Sequence, residues 1–235
     1  MSEIPCPIGF DADPVLQNRA QDWMAQFGFV LNQNETPRLQ VTAGPLVLLS
    51  REFSPQWTDF SAATWKHRKQ DGKRQGLVRA CQPKPGLSII DATAGWGRDA
   101  AILASFGAQV CMIERHPMLA ALLKDGLSRQ DEASKQHLSL NLVYADAQQY
   151  LQTCSPPDVI YMDPMHPSRQ KTAKVKKDMQ VLHTLVGMDT DACTLLQIAR
   201  QCARQRVVVK WPQKQAPLMP PRYSIEGKTI RFDVY

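Results

Sequence analysis

From Leu87 onward, the chain alternates between short unbroken apolar runs and stretches with apolar residues every third or fourth position. The first pattern suits a strand buried on both faces, and the second suits a helix with one buried side. LSIID (87–91) reads as a strand, and GRDAAILASFG (97–107) as a helix ended by Gly107. AQVCMIE (108–114) is the next strand. PMLAALLKDGL (117–127) is the next helix, with Pro117 suited to its first turn. LSLNLVYAD (138–146) and DVIYMD (158–163) follow as strands, with a short helix AQQYLQ (147–152) between them. TDACTLLQIARQCA (190–203) is an amphipathic helix and RVVVKW (206–211) a strand. RYSIEG and KTIRFDVY make a terminal hairpin around Gly227. Strands alternating with helices predict an α/β doubly wound parallel sheet. A strand that arrives by a tight hairpin has to run antiparallel, so the last one breaks the pattern.

The N-terminal part reads differently. DPVLQNRAQDWMAQFG has Val15, Leu16, Ala20, Trp23, Met24 and Phe27 at helical spacing, stopped by Gly28. LQVTAG and PLVLLS flank Gly44-Pro45, a hairpin signal. Residues 1–59 are therefore expected to form a small αβ appendage and residues 60–235 the main domain. Phe60 to Cys81 is expected to be helical in parts, broken near Gly72 and Gly76, with Pro83, Pro85 and Gly86 marking the entry to the first core strand.

With 235 residues, 43% hydrophobic and 21% charged, the chain can bury a proper core. No apolar run approaches the roughly 18 to 20 residues needed to span a bilayer. The opening MSEIPCPIGF lacks the basic and apolar stretches of a secretory signal. A cytoplasmic protein with no membrane partner is expected. Cys6, Cys81, Cys111, Cys154, Cys193 and Cys202 show no CxxC spacing, so they read as free thiols, most of them in the core, with no metal site expected.

The net charge of +6 suggests a polyanionic partner, and its distribution sharpens the point. Lys66, Arg68, Lys69, Lys73, Arg74 and Arg79 crowd one segment; Arg169, Lys171, Lys174, Lys176 and Lys177 crowd another. Solvated faces are the plain alternative for any such run. The second run directly follows a candidate active-site loop, which favours phosphate contact. Val175 and Met179 within it are spaced as on one helix face.

Two motifs carry the chemistry. DATAGWGRDA (91–100) places Gly95, Gly97 and Ala100 as GxGxxA between a strand and a helix, where bare backbone can approach a nucleotide-like cofactor. Taken alone this also fits a dinucleotide. Asp91 at the strand end favours the cationic methionine end of S-adenosylmethionine, because a carboxylate there would repel a pyrophosphate. Arg98 and Asp99 at the helix start are placed to reach the same end, although Asp99 also suits the helix dipole. Glu114 ends the next strand and can accept the ribose hydroxyls; Arg115 lies over the adenine or faces solvent. Asp146 is placed either to reach the adenine amine or to cap the helix that starts at Ala147.

The second motif is DPMHP (163–167). A base amine conjugated with its ring is a poor nucleophile. A catalyst must hold it in line with the methyl group and accept its N–H protons as positive charge develops. Asp163 and the backbone carbonyls around Pro164 and Met165 are the candidate acceptors, the prolines stiffen the loop, and His166 is the candidate stacking side chain.

These motifs resemble the bacterial small-subunit ribosomal RNA guanine-2-amino methyltransferases of the RsmJ type. The resemblance runs from about Phe60 to Tyr235. It rests on DATAGWGRDA, ERHPMLAALLKDGL, DPMHPSRQKTAKVKKDMQVLHTLVG, Asp189 to Ala192 as DxDA, RVVVKWP and RFDVY. It implies a class I, Rossmann-like methyltransferase fold. The implied activity is S-adenosylmethionine-dependent methylation of guanosine 1516 in 16S rRNA, with the small ribosomal subunit as partner. It also implies cofactor contacts at Arg98, Asp99, Glu114, Arg115, Asp146, Ala147 and Asp163. Members of that family usually carry Phe or Tyr where this chain has His166; an imidazole stacks too, and brings a titratable group. Within the methyltransferases, DNA or a protein amide is an alternative substrate, and two alternatives from other classes also remain at this point. An NAD-dependent oxidoreductase explains the glycines and Glu114 but not DPMHP. A non-catalytic RNA-binding or ribosome-assembly protein explains the basic runs alone.

Overall fold

The computed structural model describes residues 6–69, 72, 75–165, 185 and 189–235, apart from the Arg68 side chain. The main sheet holds seven strands among these residues: β5 (Ser88–Asp91), β6 (Gln109–Glu114), β7 (Ser139–Tyr144), β8 (Val159–Met162), β9 (Arg206–Pro212), β10 (Tyr223–Glu226) and β11 (Ile230–Val234). Their order is β10-β11-β9-β8-β5-β6-β7. The pairs β5–β6, β5–β8, β6–β7 and β8–β9 are parallel, and β11 runs antiparallel to both β9 and β10. The predicted alternation and the single reversed strand are both present.

The strands form where β-branched and aromatic residues run unbroken: every residue of β8, Val-Ile-Tyr-Met, is buried. Helices α4 (Arg98–Ser105), α5 (Pro117–Ser128), α7 (Ala147–Thr153) and α8 (Ala192–Cys202) follow β5, β6, β7 and the 166–188 segment. They cover the two faces. One core gathers Leu87, Ile89, Leu103, Val110, Met112 and Tyr161; the other gathers Ile90, Ile113, Ile160, Leu196, Val207 and Val209. Each such aliphatic side chain contributes about 1.5–3 kcal/mol by leaving water. Sequence reading missed α6 (Glu132–His137), a single polar turn and a half capped by Asp131, which accepts from the Ser134 N–H at 2.7 Å. Too few apolar residues lie there to produce a periodicity.

The N-terminal residues form a second sheet, β2-β1-β3-β4, from β1 (Pro7–Phe10), β2 (Val30–Leu31), β3 (Arg38–Val41) and β4 (Val47–Leu49). The hairpin β3–β4 is antiparallel, as its Gly44-Pro45 turn suggests. Helix α1 (Pro14–Phe27) has Pro14 at its start, Asp13 accepting from the Val15 N–H at 2.7 Å, and Gly28 in the left-handed conformation as its stop. The parallel pairs of β1 were not legible, because PIGF and VL are too short to show alternation. Between the two sheets, α2 (Ala62–Lys69) and α3 (Gly76–Cys81) fill the segment expected to be helical in parts.

This small sheet bears on the site. Ile8, Leu39, Val41 and Leu48 share a core with Met118, Leu119 and Leu122 of α5, and with Trp96. Met165 packs against the same core. Buried Asp125 of α5 locks the contact by accepting from the Leu46 N–H at 3.0 Å and from Arg129 Nε at 2.7 Å. The appendage therefore braces both motif loops from behind.

Candidate active site

The parallel strands deliver both motifs to one edge, the carboxyl ends of β5, β6 and β8, where open α/β sheets bind ligands. The turn after β5 is built from backbone. Ala94 N–H donates to Ile113 O at 3.1 Å and Gly97 N–H to Ala94 O at 2.8 Å. Gly95 and Gly97 take φ of 54° and 69°, the left-handed region that favours glycine. Glu114, only 6% exposed, reaches into this turn: one oxygen accepts from Gly95 N–H at 2.9 Å and the other from His116 N–H at 2.8 Å. Burial pushes its carboxyl up to about 7 against those stabilising bonds. Each oxygen has a second lone pair, so both can still accept a ribose hydroxyl.

Asp91 is 1% exposed and sits beneath the turn, its Oδ1 accepting from Thr93 N–H at 3.2 Å. Burial, and next the Asp99 carboxylate, push it well above the usual carboxylate range. Asp99, in the first turn of α4, accepts the Tyr161 hydroxyl at 2.5 Å and Lys210 Nζ at 3.2 Å. Lys210 Nζ also donates to Asp163 at 2.6 Å. Burial alone would push the Lys210 ammonium down; Asp99 and Asp163 outweigh it and raise it. Burial and Asp99 raise the Tyr161 phenol far enough to keep it a donor.

The loop after β8 is held by side chains from elsewhere. Asp163 N–H donates to Thr93 Oγ1 at 2.6 Å. Met165 N–H donates to Asp189 Oδ2 at 2.7 Å, and Asp189 N–H returns a bond to Met165 O at 3.0 Å. The Met165 carbonyl, a candidate amine acceptor in the sequence, is thus part of a clasp that closes the chain where it leaves at 165 and returns at 189. Pro164 is buried beside it.

Arg115 is 39% exposed, yet its guanidinium is tied back to the fold by carboxylates. It pairs with Asp189, with Asp191 at 2.8 Å and, more distantly, with Asp146 at 3.9 Å. Asp191 also accepts from Gln148 Nε2 at 2.9 Å. Asp146 caps α7 by accepting from the N–H groups of Gln148 and Gln149 at 2.9 and 3.2 Å, while Ala147 is buried at the helix start. Arg98 lies over the Trp96 ring at 6.0 Å.

The basic segments fare unequally. Lys69 is used inside the fold: its Nζ donates to Ser105 O at 2.5 Å, at the end of α4, and lies over the Phe106 ring. In this arrangement it serves as a helix-end cation. Lys66 is exposed, 5.7 Å over the Trp65 ring, and Arg79 is exposed on α3. Lys73, Arg74, His166, Arg169, Lys171, Lys174, Lys176 and Lys177, with the helix suggested by Val175 and Met179, lie outside the described residues. Sequence reasoning missed Thr93, Tyr161 and Lys210, and assigned no role to Asp189 or Asp191. Lys210 did leave a signal: a lysine directly after Val-Val-Val in a core strand.

Four carboxyl groups, Asp91, Asp99, Glu114 and Asp163, gather at this edge, and Lys210 pairs with two of them, Asp99 and Asp163. That donor set suits a ligand bearing a sulfonium and an ammonium, and opposes a pyrophosphate. The comparisons with known proteins agree. Residues 22–235 match the family described as "Putative SAM-dependent methyltransferase". The chain is 53% identical over 231 residues to the ribosomal RNA small subunit methyltransferase J of Legionella pneumophila (strain Lens), covering 97% of this chain and 95% of that one. The chain belongs to the ribosomal RNA small subunit methyltransferase J family. The Proteus mirabilis (strain HI4320) member is 40% identical over 244 residues, covering 98% and 96%. A solved SAM-dependent methyltransferase from Neisseria gonorrhoeae superposes with a TM-score of 0.73 at 30% identity, covering 97% and 95%.

Membership in the methyltransferase J family makes the chain an enzyme that uses S-adenosylmethionine in a class I, Rossmann-like fold. The oxidoreductase and non-catalytic alternatives fall. Among the described residues, no helix is long and apolar enough to cross a membrane.

Proposed function

We propose that this protein methylates the exocyclic 2-amino group of a guanosine in 16S rRNA, by resemblance guanosine 1516, in the cytoplasm. The observation that carries the reading is Asp163: a carboxylate at the carboxyl end of β8, gripped by Lys210 and Thr93, on the same edge as the glycine turn. The methyltransferase J names of its relatives supply the substrate class.

Bound S-adenosylmethionine supplies an electrophilic methyl group on its sulfonium. Asp91, Gly95, Gly97, Arg98 and Asp99 hold the methionine end; Glu114 takes the ribose; Arg115, Asp146 and Ala147 border the adenine. Asp163 accepts an N–H of the guanine amine, which points the nitrogen lone pair at the methyl group and stabilises the positive charge that develops on nitrogen. Pro164 and Met165 fix the loop's path, and His166 stacks on the base. Such positioning lowers a barrier by roughly 7–11 kcal/mol. Lys66 and Arg68, with Arg169, Lys171, Lys174, Lys176 and Lys177, contact rRNA phosphates; Lys69 supports α4 instead.

The test is tritiated methyl transfer into small subunits and into naked 16S rRNA from cells lacking the protein, followed by nucleoside analysis. Label in N2-methylguanosine is expected, and label in any other nucleoside overturns the reading. Asp163→Ala should lower kcat by at least about a hundredfold, roughly 2.7 kcal/mol, while S-adenosylhomocysteine still binds.

A further inference from the structure

Lys210 sits oddly in its strand. Val207, Val208 and Val209 before it are fully buried, and Trp211 after it is nearly so. The Lys210 side chain is itself only 25% exposed. A lysine so far out of water needs charged partners. Among the described residues it has two, Asp163 at 2.6 Å and Asp99 at 3.2 Å.

The groups around it come from every neighbouring element. Asp99 stands on α4 and Asp163 follows β8. Tyr161 of β8 donates its hydroxyl to Asp99. Asp91 ends β5, close enough to both acids that each opposes its ionisation, and Glu114 ends β6 beside it. From α3 comes the buried Cys81 thiol, near Arg206 of β9. The neighbour on β11 is apolar, since Phe232 pairs opposite Lys210. Carboxylates gathered this closely favour taking up protons, and a fixed cation between two of them opposes it.

We propose that Lys210 is a positioning residue for methyl transfer: it holds the Asp163 carboxylate in its charged form and in one orientation at the end of β8. The proposal rests on the reading of Asp163 as the amine's acceptor. A protonated Asp163 would present a hydroxyl where the amine needs an acceptor, and would offer no charge to the developing cation. The raised ammonium of Lys210 fits the same picture, since the lysine stays charged wherever the enzyme works.

The experiment measures kcat against pH, from about 6 to about 9, for the wild type, Lys210→Arg, Lys210→Met and Asp163→Ala, with S-adenosylhomocysteine affinity in parallel. The wild type and Lys210→Arg should be flat, with Arg retaining most of the activity. Lys210→Met should lose at least about tenfold near pH 6 and recover toward pH 9, as Asp163 ionises without help, with cofactor affinity within about threefold. An equal loss at every pH, or no loss, overturns the proposal. Wild-type activity in Asp163→Ala overturns the acceptor reading and the proposal with it, which separates the two failures. A second measurement needs no Lys210 variant. The carbon-13 signal of the Asp163 carboxyl, assigned by its loss in Asp163→Asn, should stay in the ionised position down to about pH 5. A midpoint above about pH 6 overturns the proposal even if Lys210→Met does not fold.

Discussion

The two loops that face each other across the active edge are built in opposite ways. After β5, the turn from Ala92 to Gly97 shapes itself: two glycines in the left-handed region, main-chain bonds to the adjoining strands, and one carboxylate, Glu114, from the next strand. After β8, the loop at Asp163–Met165 is shaped by side chains from distant positions: Thr93, Asp189 and Lys210. The proposed cofactor side is thus a property of the fold, and the proposed target-base side an assembly laid on it. Damage to the first should appear as lost stability, and damage to the second as lost turnover in a protein that still folds and binds cofactor.

The sharpest way to break the first loop is Gly97→Ala. A Cβ there would come within 2.7 Å of Phe60 Cζ and 2.8 Å of Leu123 Cδ2, at a φ of +69°. Left-handed backbone costs about 1–2 kcal/mol for a residue with a side chain, and overpacking about 1–3 more. Urea unfolding should show a loss of about 2–5 kcal/mol. A loss under about 1 kcal/mol would mean that Phe60 and Leu123 simply step aside.

The second loop should break differently. Asp189→Ala removes the acceptor of the Met165 N–H and a partner of Arg115, while the strands remain untouched. Losing a hydrogen bond to a charged group is worth about 1.5–3 kcal/mol, so kcat should fall roughly 10- to 150-fold. The protein should still fold, with a stability loss no larger than that bond, and S-adenosylhomocysteine affinity should barely move. A comparable loss of cofactor affinity would instead show that Arg115, freed from Asp189, disturbs the adenine side.

This difference also explains what the sequence could reveal. The glycine turn, Asp91, Glu114 and the alternation of strands and helices were legible because each depends on neighbours in the chain: a strand end, a required φ, an apolar run. Glu114 is one strand away from Gly95, yet its place at a strand end was enough to mark it. The β8 side was legible only at Asp163. Thr93 and Asp189 act across 70 and 24 residues, and no local pattern announces such bonds. Lys69 shows the same limit. Within a basic run it resembles a phosphate contact, and only the packing of α2 on α4 turns it toward Ser105.

The smallest expected effect separates the two loops by pH. Burial raises the Glu114 carboxyl from 4.5 to about 7. Between those values the folded protein holds a proton that the unfolded chain has lost, so this group's contribution to stability is full below the lower value and fades as pH rises through the upper one. Cofactor binding runs the other way, because a charged Glu114 is the better acceptor for ribose hydroxyls. S-adenosylhomocysteine affinity should therefore rise as pH climbs, with up to about tenfold lost one unit below the midpoint. Glu114→Gln should bind more weakly and show no pH dependence over that range. The β8 loop, with Lys210 charged throughout, should leave kcat at saturating cofactor flat across the same interval. Calorimetric affinities that do not change between about pH 6 and pH 8 would show that Glu114 is already ionised in the folded protein, its bonds to Gly95 and His116 outweighing burial.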